Sequence, residues 1–180
     1  EKYGLDAFRY YLMREATFGQ DADYSKKAMV QRINADLAND LGNLLNRTIG
    51  MQKKYFNSEV VLNEVEESFD IEIKELWKNT LIDMDKHINN YQFSEGLKDI
   101  WKFISRMNKY IDECEPWKLS KDESRKDRLS TVMYNLVDSL YKIAVLISPF
   151  MPETGQKMIN QLGLEKEVTK LHLDDIKEWK

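Results

Sequence analysis

A chain of 180 residues, 42% hydrophobic and 32% charged, can bury one sizeable core unaided, and its 7 Gly and 3 Pro favour long helices over many turns. Its net charge of −4 argues against generic duplex or polyanion binding, which needs many Lys and Arg gathered on one face. The single cysteine, Cys114, excludes an internal disulfide and points to a reducing, cytoplasmic setting, while the lack of an apolar run of about 18 residues or a signal-peptide pattern argues against a membrane span or secretion.

Leu5, Phe8 and Leu12 lie at helical spacing and predict a short first helix over 5–14, which Phe18-Gly19-Gln20-Asp21 breaks. Ser25 is a suitable N-cap for one long helix running to about Phe56. At 100° per residue, Ile33, Leu37, Leu41, Leu44, Thr48, Met51 and Tyr55 form its core-facing band. Asp36, Asp40, Asn43 and Arg47 form a polar ribbon along one flank of that band, with Asn43 and Arg47 stacked four apart.

A connector over 57–62 leads to a second long helix from Glu64 through Trp77 to Ile88. Ser94 opens a third, apolar at Leu97, Ile100, Trp101, Ile104, Met107, Ile111 and Cys114. Glu115-Pro116 ends it, because proline cannot donate to the helical ladder, and this sets Trp117 in a connection instead of on a periodic face. The polar stretch Lys118 to Lys126 precedes a fourth helix, apolar from Leu129 to Ile147 and stopped by Ser148-Pro149. Pro152 suits the first turn of a final short helix and Gly163 the position past its end. The expected fold is all-α, an antiparallel bundle of about five helices, with residues 1–24 leading in, 25–163 forming the bundle and 164–180 packed on it as an extension.

Catalytic chemistry is not supported. His87 and His172 lack ligand spacing beyond Asp83, four residues before His87, so no metal site is expected. The glycines are scattered singly, so no phosphate loop forms. Cys114 reads as a buried free thiol, and Asp112, Glu113 and Glu115 beside it should raise its pKa. Trp77 and Trp101 lie on apolar stripes and read as core; Trp179 is open. By themselves, Trp117 reads first as packing over helix ends, and Asn43 and Arg47 as ordinary surface residues or helix-to-helix polar contacts with Asp36 or Asp40.

Three stretches in order change this reading: Tyr3 to Tyr10 with Phe18 to Tyr24, then Asn34 to Arg47 (NADLANDLGNLLNR), then Glu115 to Leu119. With Ile147 to Thr154 ahead of Gln161 to Leu164, they resemble the C-terminal part of the methionyl-tRNA synthetase family over the whole chain. The resemblance implies a helical anticodon-binding domain following a class I catalytic domain, which would use ATP and methionine. The absence of an initial methionine fits the expectation that the chain is cut from something longer. The implied partners are the CAU anticodon loop of tRNA(Met) and the catalytic domain itself, with no membrane and no cofactor in this part.

Carried over by motif, the resemblance places the anticodon-reading Asn and Arg on Asn43 and Arg47 and the stacking tryptophan on Trp117. Asn39, Asn46, Lys118, Lys121 and Arg125, with Lys126 and Arg128, are further candidates for RNA contact, the basic ones toward stem phosphates. Asp6, Arg9 and Asp23 are expected to seat the bundle against the catalytic domain. The alternatives are the equivalent domain of a valine, isoleucine, leucine or cysteine ligase, and a helical protein-interaction module without an RNA role.

Overall fold

The computed structural model describes residues 3–16, 19–21 and 24–179; Phe18 and Asp23 of the motifs above lie outside them. Among the described residues there is no β-strand, and none of the helices is long and apolar enough to cross a membrane. In chain order the main helices are α1 Leu5–Glu15, α2 Lys26–Arg32, α3 Asn43–Phe56, α4 Ser68–Asn89, α5 Phe93–Cys114, α6 Pro116–Leu119, α7 Lys126–Ile147 and α8 Pro152–Gln161. Ser25 caps α2, its Oγ accepting from the Ala28 amide.

The long helix expected from Ser25 onward is continuous but not uniformly α. Between α2 and α3, Ile33–Gly42 is wound as a π-helix, with hydrogen bonds reaching five residues back. Such turns leave carbonyls tilted out of the ladder, and two of them find partners on α5: Trp101 Nε1 donates to the Asp36 carbonyl at 3.2 Å and Asn108 Nδ2 to that of Asp40 at 3.0 Å. The winding is therefore a tertiary feature that period alone does not reveal.

Bonds from Asp36 to Trp101, Asp40 to Ser105, Asn43 to Asn108 and Arg47 to Asp112 all join residues 65 apart in sequence. A constant offset means that the long helix and α5 run parallel, side by side. The return is made by α4, whose pairs with α5 change offset from 34 at Glu72–Arg106 to 12 at His87–Asp99, as antiparallel helices require. The central helix is α7, buried on nearly every face among Trp77, Ile100, Phe103, Ile104 and Met107.

Several helix ends differ from their expected positions. The second long helix starts at Ser68, not Glu64, because Glu67 and Asp70 form a reciprocal capping box there. Residues ahead of it are held extended by α7: Ser130 Oγ donates to the Val61 carbonyl, Thr131 Oγ1 to that of Asn63, and the Val65 amide donates to Thr131 Oγ1. Ser94 does not cap α5, since its hydroxyl donates to the Arg14 carbonyl. Trp117 sits in the single-turn α6 instead of an irregular connection.

Trp77 and Trp101 are core residues. Trp179 docks its Nε1 on Asn135 Oδ1 at 3.0 Å, and Val168 and Ile176 join the common core, so residues after α8 are integral to the packing. Asp6 is buried and accepts from the Thr154 amide and hydroxyl at the start of α8. Arg9 donates to the Pro149 carbonyl at 3.0 Å.

Candidate nucleic-acid interface

The polar ribbon of the long helix resolves into an inner and an outer part. Asp36 is buried, receiving the Tyr10 hydroxyl at 2.5 Å and the Arg32 guanidinium at 3.5 Å, and this burial beside a carboxylate pushes the Tyr10 pKa up. Asp40 is partly buried against Ser105 Oγ; desolvation, reinforced by Asp36, raises its carboxyl above the usual range although the Ser105 bond opposes this. Asn43 and Arg47 continue the same edge outward. Asn43 is exposed and donates to Asn108 Oδ1 at 3.4 Å. Arg47 pairs with Asp112 and keeps 28% of its side chain accessible.

The partners of Asn43 and Arg47 are thus on α5, not at Asp36 or Asp40 on their own helix. Ser105, Asn108 and Asp112 were missed as members of this edge. Their signal was present, since they lie at helical spacing on the flank of the α5 apolar stripe.

Trp117 is brought to the same end of α5. Glu115 ends that helix in the left-handed region, at φ 45° and ψ 57°, and buried Pro116 then starts α6. The turn holds Trp117 38% exposed, an unusual degree for an indole, while α6 packs on α7. Trp117 is five positions along the chain from the Asp112 that Arg47 touches, which limits their Cα separation to about 18 Å even for extended chain.

The remaining candidates divide. Asn39 and Asn46 are exposed along the long helix. Lys118 is exposed and paired with Glu115, Arg125 with Glu67, and Lys126 with Glu123. Lys121 is exposed. Arg128 is 2% exposed and cannot reach a phosphate: it lies inside the bundle against Asp70 at 2.6 Å, the Val65 carbonyl at 3.0 Å and Cys114 Sγ at 3.6 Å. Cys114 shares that pocket and is half-buried instead of fully buried, because it is the last residue of α5. Burial, more than its acidic sequence neighbours, pushes its thiol up to about 11, with Asp70 and Glu67 adding to the rise and Arg128 opposing it. No group of three or more His, Cys, Asp or Glu side chains suited to a metal ion occurs among the described residues.

Comparison with known proteins bears on the family of the chain. Residues 70–179 match the family model described as the anticodon-binding domain of tRNA ligase, and residues 1–49 match that of class I tRNA synthetases (M). The methionine–tRNA ligase of Fusobacterium nucleatum is 58% identical over 179 residues, 99% of this chain and 28% of that protein. That of Bacillus subtilis is 46% identical over 94% of this chain and 26% of its own length. The structure of Mycobacterium tuberculosis methionyl-tRNA synthetase in complex with methionyl-adenylate superposes with a TM-score of 0.88 at 32% identity, over 95% of this chain and 34% of that one. The chain spans about a quarter to a third of the length of these relatives.

Proposed function

The chain belongs to the anticodon-binding domains of the methionine–tRNA ligase family, and we propose that it reads the CAU anticodon of methionine tRNAs for a longer ligase. In that ligase a separate class I domain would activate methionine with ATP and transfer it to the tRNA. The observation that carries the reading is the edge shared by α3 and α5, where Asn43 and Arg47 are held toward solvent at the end of α5 from which Trp117 projects.

The chemistry suits unpaired bases. Anticodon nucleotides can be splayed from the loop, stacked on an aromatic ring and hydrogen-bonded along their Watson–Crick edges. Trp117 offers the ring, fixed by the Pro116 turn. Asn43 can donate and accept at once, and Arg47 presents a planar fork, so two side chains four apart can read one base edge. The overall charge of −4 fits recognition by shape and base edges instead of a broad phosphate footprint.

Aminoacylation kinetics of the longer ligase test this reading. Trp117→Ala should cost about 1–3 kcal/mol, roughly 5- to 150-fold in kcat/KM for tRNA, while methionyl-adenylate formation stays intact. Unchanged kcat/KM, together with equal charging of CAU and scrambled-loop tRNAs, would refute it and favour a protein-interaction role. Arg47→Lys should also lose kcat/KM, since a point charge cannot reproduce the fork.

A further inference from the structure

The edge that carries Asn43 and Arg47 begins where the helix changes its winding. Hydrogen bonds reach five residues back through Gly42, and the Asn43 amide bonds to both the Ala38 and Asp40 carbonyls as the α pitch resumes. A Cβ at Gly42 would come within 3.0 Å of the Leu37 carbonyl oxygen, so this junction is tight. The Asn108 side chain spans it: Nδ2 donates to the Asp40 carbonyl at 3.0 Å, and Oδ1 accepts from Asn43 Nδ2 at 3.4 Å. One side chain from α5 therefore holds a carbonyl of the last π turn and the first side chain after the junction.

We infer that Asn108 is a positioning residue for anticodon reading, which fixes the winding junction at Gly42–Asn43 and so sets where on the RNA edge Asn43 and Arg47 present their polar groups. The inference rests on the anticodon-reading role proposed above. The physical reason is angular. Moving a π-to-α junction by one residue turns every downstream side chain by roughly 15–20°, the difference in twist between the two windings, which displaces the tips of both residues by about 1–2 Å along the edge. Asp112 cannot prevent this alone, because its partner Arg47 is long and jointed, whereas Asn108 grips the backbone itself. Trp101 makes the corresponding contact one turn earlier, at the Asp36 carbonyl, from within the core, where its ring packs on that of Tyr10.

The test is a double-mutant cycle in the longer ligase, read as kcat/KM for CAU tRNA and for a tRNA with one anticodon base replaced, with methionyl-adenylate formation as control. Asn43→Ala alone should lower kcat/KM for CAU tRNA tenfold or more. Asn108→Ala should lower it about tenfold, reduce the preference for CAU, leave adenylate formation unchanged, and add clearly less than tenfold in the Asn43→Ala background, where only the positioning of Arg47 is left to lose. Peptide-level hydrogen exchange should quicken over 38–47 while α7 stays protected.

Should Asn108→Ala not fold, Asn108→Asp serves instead, since it replaces the donor to the Asp40 carbonyl by a charged acceptor while keeping an oxygen for Asn43 Nδ2, and the same non-additivity is expected. Additive losses in the cycle, or an Asn108 variant with undiminished CAU preference while Asn43→Ala loses it, would overturn the inference. Failure of the anticodon reading itself would look different, because Asn43→Ala and Trp117→Ala would then both leave kcat/KM unchanged.

Discussion

Arg128→Met should be strongly destabilising, and its size can be worked from the charges it leaves behind. Asp70 is fully buried and receives four kinds of donor: Arg128 Nη1 at 2.6 Å, the Tyr110 hydroxyl at 2.5 Å, Asn135 Nδ2 at 2.7 Å and the Glu67 amide at 2.6 Å. Removing one partner of a buried ion pair costs about 3–5 kcal/mol, because the other charge stays out of water without compensation. Three donors remain on Asp70, which places the loss near the lower end, about 3 kcal/mol. For a domain of this size that is a fall of roughly 6–12 °C in Tm. Urea unfolding followed by circular dichroism would measure it, with an unchanged m-value showing that the native state stays compact. Adding Asp70→Asn should make the double variant less unstable than the sum of the two single losses, since the orphaned charge is then gone. A loss below about 1 kcal/mol for Arg128→Met, or strict additivity, would refute the view of this cluster as a mutually dependent buried network.

Other expectations are independent of this one. Cys114, with its thiol near 11, should react with iodoacetamide at pH 8 about 10²-fold more slowly than an unperturbed cysteine, and the rate should still be climbing above pH 10; a plateau near pH 9 would contradict the buried site. Asp40 has a raised carboxyl pKa, so the folded state holds its proton more tightly than the unfolded state and stability falls as pH rises through the carboxylate range. Asp40→Asn should accordingly raise Tm at pH 7 relative to wild type, with the gain vanishing toward pH 3, provided the Ser105 contact is kept; a larger gain at pH 3 would invert the argument. Gly155→Ala should cost about 1–3 kcal/mol in thermal unfolding, because a Cβ there would lie 2.9 Å from the Ala144 carbonyl oxygen where α8 crosses α7; an unchanged Tm would mean that the crossing is slack.

Much of this architecture is legible along the chain. Local spacing is enough to mark α5, α7 and α8, to place Trp77 and Trp101 in the core, and to separate Asn43 and Arg47 as an edge beside a buried stripe. It suffices because helical period and burial are properties of a single element, and Pro116 and Pro152 act through their own missing N–H groups. The tertiary structure decided what those polar side chains touch. Asp6 caps α8, Arg128 turns inward to Asp70, Trp179 closes on Asn135, and Asn43 and Arg47 find Asn108 and Asp112 across a parallel pair of helices. Each of these depends on the register between distant elements, which no pattern within one helix encodes. The π winding of Ile33–Gly42 is the clearest instance, since its tilted carbonyls are satisfied only because Trp101 and Asn108 arrive from α5 at the right height.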